Sequence, residues 1–299
     1  MNPFFSIVIP TYNRAELVSE CIRSVLEQTF GRFEIIVVDD GSTDTTEEAV
    51  KAITSDKLFY YKKNNEERGA ARNFGIKKSQ GQYITFLDSD DRMKPNHLAM
   101  LYAHLEHTQE DFTATKYNFF DGITTEISRD VKLLSAGYHT YTTFLIGNPL
   151  ACCFTVRREN PDLILFNEDR DISIMEDWIF LLENLHNKKL FILDVYTLEM
   201  RDHSSRSMRQ DNGRIVKARR RATDYVRSVL TLTLTEEKSL KGHSSYFCAV
   251  HYYLDGDTSN GFYQLYDAVK LLGLTKNGIF LLIKLIFQFL WRKKKRREF

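Results

Sequence analysis

Cysteine is scarce in this chain, four in 299 residues. Cys21, Cys152, Cys153 and Cys248 form neither the paired units of a zinc site nor a disulfide framework, which excludes a metal-stapled mini-domain and suits a reducing compartment. A surplus of one charge is missing too: 41 basic residues face 40 acidic ones, net +1. No internal repeat and no low-complexity linker interrupts the sequence. The opening "MNPFFSIVIP" lacks the basic region and cleavage site of a secretory leader, so the globular part is expected in the cytosol. What remains is ordinary globular composition, 43% hydrophobic and 27% charged, in a chain long enough to bury a substantial core.

The first 110 residues alternate between strand and helix patterns. "FSIVIP" and "FEIIVVDD" are continuous apolar runs, as expected of strands buried on both faces. "LFYY" and "QYITFL" read as a third and a fourth strand. Between them lie helical patterns, one after Asn13 with Glu16 three residues on, a variant of the capping box. Asp44 with Glu47 opens another, and "GAARNFGIKKS" is a third. Repeated strand–helix–strand units imply a mainly parallel, Rossmann-like sheet with helices on both faces. Right-handed crossovers place the strand C-termini on one edge, where ligands of such sheets bind. Beyond residue 112, "FTATKYNFF", "LACCFTV" and "KLFILDV" are strand-like around a helical "IMEDWIFLLENL", and 210 to 275 is mostly helical.

Polar clusters fall where that edge should be. Asp88, Asp90 and Asp91 follow the fourth strand in "DSDD"; the carboxylates of Asp88 and Asp90, spaced i and i+2, are hard oxygen ligands that suit Mg²⁺ or Mn²⁺, although taken alone the three aspartates fit solvated loop and cap residues better. Asp39 and Asp40 end the second strand, where a carboxylate can accept from a base N–H or close an Asx turn. Tyr12 could stack on a planar base. In "RGAARNFG", Gly69, Ala70 and Ala71 would let a helix end approach a ligand, and Arg68 and Arg72 could pair with phosphate. Glu176 and Asp177 stand in an otherwise apolar helical stretch, as a general base or as helix-start acids favoured by the dipole. His203 with Ser204, Ser205 and Arg206 could line a phosphate or complete a metal shell.

In order, "SIVIPTYNRAELVSECIRSVLEQTF", "EIIVVDDGSTDTT", "RGAARNFGIKKSQGQYITFLDSDD" and "EDWIF" resemble the family 2 glycosyltransferases, inverting enzymes with the GT-A fold that use nucleotide-sugar donors. The resemblance implies a GT-A domain over 1–205, with a nucleotide-sugar half to 110 and an acceptor half from 111. A helical region over 206–275 and a tail over 276–299 would follow. It implies that Pro10, Thr11 and Tyr12 cradle the nucleoside, that Asp40 bonds the base, and that Arg14, Arg68, Arg72 and Ser89 belong to the donor site. Asp90 would be the direct ligand of Mn²⁺ or Mg²⁺, with Asp88 nearer the ribose or donor sugar. Asp177 would be the catalytic base and Glu176 its neighbour that orients it or meets the acceptor. His203 and Ser205 match a looser feature near the diphosphate, His203 as a possible metal ligand. A uridine nucleotide is the family-weighted donor. The rival enzyme, a sugar nucleotidyltransferase, would need a glycine- and basic-rich phosphate loop that "IVIPTYNRAEL" does not show. The rival from another class is a catalytically silent nucleotide-sugar-binding scaffold of a polysaccharide assembly complex.

The tail has its own chemistry. Residues 278–291, "GIFLLIKLIFQFLW", are apolar except Lys284 and Gln288, which form one stripe with Arg292. As a helix of roughly 21 Å this segment falls short of the roughly 30 Å bilayer core, so it is expected to lie in a membrane interface. The following "RKKKRR" would face anionic headgroups. A core or oligomer-interface helix and a nucleic-acid-binding run are the competing readings, the second without interleaved aromatics or another basic domain. The membrane reading, with the family analogy, points to a glycan or lipid-linked acceptor in bacterial surface-polysaccharide assembly. It places the protein peripherally at the cytoplasmic face of the cell membrane.

Overall fold

The structure, a computed structural model, describes residues 2–203 and 211–295, with only the backbone at 129, 130 and 291–295. It divides into two units, Met1–Tyr141 with Asn148–His203, and Thr142–Gly147 with Ser204–Phe299.

The first unit is built on a ten-stranded sheet. Strands β1 (Phe5–Thr11) and β2 (Phe33–Asp39) are buried at every position, which is why their sequences show no polar alternation. β1 pairs in parallel with β2 and with β4 (Tyr83–Phe86), and β2 with β3 (Leu58–Lys62). The far half is mixed. β9 (Phe154–Arg157) runs antiparallel between β4 and β6 (Phe112–Phe120), and β10 (Leu190–Arg201) lies parallel to β6. The two-residue β5 (Arg92–Met93) closes the order β3-β2-β1-β4-β9-β6-β10-β5; β7 (Thr125–Ile127) and β8 (Gly137–His139) attach to β6 and β10. Helices α1 (Ala15–Leu26), α2 (Thr46–Lys51), α3 (Glu67–Lys78), α4 (His97–Thr108), α5 (Arg129–Leu133), α6 (Tyr141–Phe144) and α7 (Glu176–Leu185) occur along this part of the chain.

Helix α1 turns Val18, Cys21, Ile22 and Val25 into the core with Ile7 and Ile9 of β1. Helix α3 approaches the sheet through Gly75, where an added Cβ would meet Val8 Cγ1 at 2.3 Å. Its N-terminal end is equally tight: a Cβ on Gly69 would lie 2.5 Å from the Asn167 carbonyl oxygen. Asn73 donates to Phe166 O and Glu168 Oε1, both at 2.8 Å, and accepts from the Phe166 N–H at 2.9 Å. Gly69 of "RGAARNFG" therefore admits a neighbouring backbone segment, 166–168, while Gly75 and Ala71 of the same stretch admit the sheet.

Two local expectations change. Asn13 does not cap α1; Arg14 occupies the N-cap and makes no side-chain cap bond. Asn13 instead adopts a left-handed φ of 50° and accepts from the Thr43 N–H at 2.8 Å, while its own N–H donates to Ser42 Oγ at 2.9 Å. Parallel pairing of β1 and β2 brings their following loops together, and the asparagine stitches them. In "LACCFTV" the strand begins only at Phe154, because Leu150–Cys153 forms a turn with Ala151 at φ 48° and the Cys153 N–H bonded to Leu150 O at 3.1 Å.

The second unit contains α8 (Asn212–Val229), α9 (Leu234–Leu254), α10 (Thr258–Leu272) and α11 (Lys276–Lys295). Thr233 and Glu236 form a complete capping box on α9. Helix α11 packs inward through Leu281 and Leu285, which meet Ala249 and Leu265; a Cβ on Gly261 would lie 2.7 Å from Leu285. Gln288 joins that inner side by donating to Tyr253 O at 3.0 Å. No helix among the described residues is long and apolar enough to cross a membrane.

Replacing Gly75 by Ala should destabilise the first unit by about 1–3 kcal/mol through overpacking, measured by urea unfolding. Val8→Ala in the same chain should recover part of that loss; a purely additive pair of effects would contradict the contact.

Candidate active site

The C-terminal ends of β1, β2 and β4 form one edge, because all three strands run parallel in register. At the β2 end the two adjacent aspartates have different partners. Asp39, fully buried, accepts from the Ser42 N–H at 2.7 Å and the Tyr60 hydroxyl at 2.6 Å, and burial with that carboxylate pushes the Tyr60 pKa up. Asp40 accepts from Lys63 Nζ and from the Glu66 N–H, both at 3.0 Å, fastening the loop that leads into α3. Pro10 is enclosed in the sheet, Thr11 is buried with no partner for its hydroxyl among the described residues, and Tyr12 is about half exposed.

The centre of the edge is organised by Arg72, which is 1% exposed. Its Nη2 donates to Asp88 Oδ1 at 2.6 Å and its Nη1 to Glu176 Oε1 at 2.5 Å. One guanidinium thus joins α3, the loop after β4 and the first turn of α7. Burial alone would lower the Arg72 pKa; the carboxylates of Asp88 and Glu176 outweigh it and hold the group charged. Arg68, one turn earlier, lies 3.9 Å from the same Glu176 oxygen.

Asp88, Asp90 and Asp91 have carboxylate oxygens within 4.8 Å of one another. Asp90 Oδ2 meets His203 Nε2 at 2.9 Å and Arg14 Nη2 at 4.0 Å. Asp91, 7% exposed, accepts from the Arg201 N–H at 2.9 Å, which ties the end of β10 to this loop two residues before His203. Glu20 of α1 braces the same place through Arg201 and, at 2.8 Å, Arg92. Ser89 is buried within the loop. Three hard oxygen donors at this spacing fit a small divalent cation such as Mg²⁺ or Mn²⁺, and Asp88 and Asp90 are the pair spaced i, i+2. The structure adds Asp91 to them and brings His203 against Asp90.

Glu176 and Asp177 open α7, where the helix dipole favours negative charge. Glu176 is 2% exposed, and its Oε2 has no partner among the described residues. Asp177 Oδ2 accepts from Asn148 Nδ2 at 2.9 Å, and its Oδ1 from the Trp178 N–H at 2.7 Å. Burial, with Glu176 adjacent, pushes the Asp177 pKa up to about 7, against the opposing pull of Arg72. Asn148 is held in turn: its Oδ1 accepts from the Leu150 N–H at 3.0 Å and its Nδ2 also reaches Ala151 O at 2.8 Å. The amide is oriented by the turn, so its N–H points at Asp177.

A chain of contacts thus links Arg14, His203, Asp90, Asp88, Arg72, Glu176 and Asp177 at one sheet edge, while Thr11, Tyr12 and Asp40 occupy the adjacent strand ends. Ser205 falls outside the described residues. Asn148 was not apparent in the sequence; the "GNP" turn at 147–149 is its one local signal. Lys63 and the bracing Glu20 carry no motif at all.

Arg72→Met should cost about 3–5 kcal/mol of stability, because it leaves Glu176 buried and uncompensated. Arg72→Met with Glu176→Gln should regain part of it in denaturant titrations. The raised Asp177 pKa has a defined sign as well. Folding disfavours its ionised form, so this group's contribution is intact below about pH 4, near the ordinary carboxylate value, and is lost as pH rises through about 7. Asp177→Asn should therefore gain melting temperature relative to the parent between those pH values, read by calorimetry without metal; a constant difference would refute the assignment.

The sequence model of "Glycosyl transferase family 2" matches residues 6–159. An uncharacterized glycosyltransferase of Haemophilus influenzae is 34% identical over 196 residues, covering 64% of this chain and 75% of that protein. The putative colanic acid biosynthesis glycosyl transferase WcaA of Escherichia coli is 40% identical over 106 residues, 34% of this chain and 38% of that one. Three other similar curated relatives are longer than the match, which spans 17%, 41% and 19% of their lengths. Among solved structures, S. aureus TarS 1–349 in complex with UDP-GlcNAc superposes with a TM-score of 0.67 at 19% identity, covering 98% of this chain and 91% of that one. That likeness makes the fold GT-A-like, a mixed α/β sheet flanked by helices with further helices at the C-terminal end. With the family pattern matched over more than half its length, the chain belongs to glycosyl transferase family 2.

Proposed function

We propose that the protein transfers a sugar, with inversion, from a nucleoside diphosphate donor to a hydroxyl of a glycan or lipid-linked acceptor. The observation that carries the reading is the Arg72 bridge, which sets the Asp88–Asp90–Asp91 group and the Glu176–Asp177 pair on either side of one guanidinium. The complex of TarS with UDP-GlcNAc favours a uridine nucleotide as donor, and the likeness to WcaA, named for colanic acid biosynthesis, favours polysaccharide assembly.

Asp88, Asp90 and Asp91 would hold Mg²⁺ or Mn²⁺, with His203 against Asp90. When bound, the cation supplies positive charge that offsets the charge developing on the departing diphosphate. Thr11, Tyr12 and Asp40 would receive the nucleoside at the neighbouring strand ends. Asp177 takes the proton of the acceptor hydroxyl as its oxygen bonds to the anomeric carbon, and the bond from that carbon to the diphosphate oxygen breaks. A pKa of about 7 poises a carboxylate for this role near neutral pH, where an ordinary aspartate would be a much weaker base. Asn148 aims the carboxylate, and Arg72 keeps Glu176 and Asp88 from driving the local charge too negative.

A thermal-shift and donor-hydrolysis screen over uridine, guanosine and thymidine diphosphate sugars, with and without Mn²⁺, tests the reading. One donor series should stabilise the protein only with metal, and Asp90→Ala should abolish that shift. Asp177→Asn should retain donor binding and lose transfer by about 10²-fold or more. If donors bind but no donor is ever hydrolysed or transferred by the parent protein, the silent scaffold becomes the better description.

The pH dependence supplies a separate check. In the parent enzyme kcat/KM should rise with pH and level off once Asp177 is ionised. Asn148→Ala removes a hydrogen bond to the ionised form, so it should move that rise to higher pH. Unchanged profiles would remove Asp177 from the chemistry.

A further inference from the structure

We infer that the outward face of α11 docks on an anionic lipid surface. The helix is inside-out for a protein in water. Its inner line is Leu281, Leu285 and the polar Gln288, the last bonded to Tyr253 O. At 100° per residue, Ile279, Ile283, Ile286 and Leu290 centre on the opposite side, flanked by Leu282 and Phe287. All six are exposed, Phe287 at 69%. Of the polar stripe, Gln288 thus lies on the packed side, while the exposed Lys284 lies at its flank, its Nζ 4.5 Å from the Phe280 ring centroid and 5.7 Å from that of Tyr253. What faces out is a continuous apolar band on a helix of 20 residues.

An apolar band of this kind needs an occupant. The sequence indicates which one: "RKKKRR" at 292–297 follows the band directly, while the remainder of the chain is acidic on balance. Cations beside an exposed apolar helix face match a bilayer surface, which offers hydrocarbon below anionic headgroups. Crossing is ruled out for this helix by its own packing and composition, since one side is held against α9 and α10 and no described helix is apolar enough to span. The helix lies flat, its apolar side sunk into the headgroup boundary. On the glycosyltransferase reading, this attachment would bring the enzyme to acceptors anchored in the same bilayer, at the cytoplasmic face of the cell membrane.

The experiment is co-sedimentation of the full chain with vesicles of phosphatidylglycerol mixed into phosphatidylcholine, against pure phosphatidylcholine. Binding should require the anionic lipid and weaken with salt. Ile283→Glu with Phe287→Glu should lower partitioning by at least about tenfold, and Lys293→Gln or Lys294→Gln by about fivefold each. Both positions of the apolar pair are exposed, so helical content by circular dichroism should stay at the parent value. Equal binding to both vesicle types, or binding indifferent to the substitutions, overturns the inference. So does absence of vesicle binding together with a concentration-dependent dimer that Phe287→Glu abolishes, which would make a second copy the occupant. The readout is partitioning and not transfer, so the donor site can fail its own test without affecting this one.

Discussion

The buried guanidinium of Arg72 is the constraint on which the site depends. A cation removed from water is tolerable only with charge-complementary partners in good geometry, and Arg72 has two, Asp88 and Glu176. These come from segments 88 residues apart in sequence, one at the end of a parallel strand and one at the start of a late helix. Glu176 could not be placed so deep without the cation, and the cation is held between it and the partly exposed Asp88. The bridge therefore specifies where α7 begins relative to the β4 loop. Asp90 and Asp177, the two residues with proposed chemical roles, stand two positions and one position from its anchors, respectively.

Around this bridge the fold spends its remaining polar groups on holding loops still. Asn13 and Ser42 join the β1 and β2 loops, Asp40 fastens Lys63 and Glu66, and Glu20 with Arg201 fixes the approach to His203. Asn73 and the missing side chain of Gly69 allow segment 166–168 to lie on α3 ahead of α7. Each of these places a loop at the C-terminal edge of a sheet whose strands are immobilised by burial on both faces. Ligand sites at such edges rely on a rigid sheet and loops whose own hydrogen bonds are satisfied. Among the described residues, Glu176 Oε2 and the Thr11 hydroxyl are buried at this edge without a hydrogen-bond partner.

Much of this was legible in the sequence for a physical reason. Strands buried on both faces leave unbroken apolar runs, so β1, β2 and β4 could be read with the polar segments that end them. A parallel sheet then makes those segments converge whatever their partners. The mixed half was less legible, because the start of β9 depends on a left-handed Ala151 that no propensity rule anticipates. The division of labour between Asp39 and Asp40 was hidden too. Adjacent carboxylates look alike in sequence, and only pairing with β3 reveals that one meets Tyr60 and the other Lys63. Asn148 was invisible because its function arises from a turn that aims its amide across 29 residues of chain.

Helix α11 shows the limit of periodicity most clearly. A pattern of polar positions four apart defines a stripe on a helix, but not which side of the helix meets protein. The usual assumption, polar side out, holds when the only solvent is water. Here Gln288 hydrogen-bonds to a backbone carbonyl of α9, and the close approach at Gly261 draws Leu285 inward. The more extensive apolar surface is left facing out. Burying all of it against the second unit would need another layer of structure, which the described residues of that unit do not supply. The inward Gln288 and the outward band are thus both accounted for by packing, and what the band meets is decided by its medium, for which the six cations that follow in the sequence are the chemical clue.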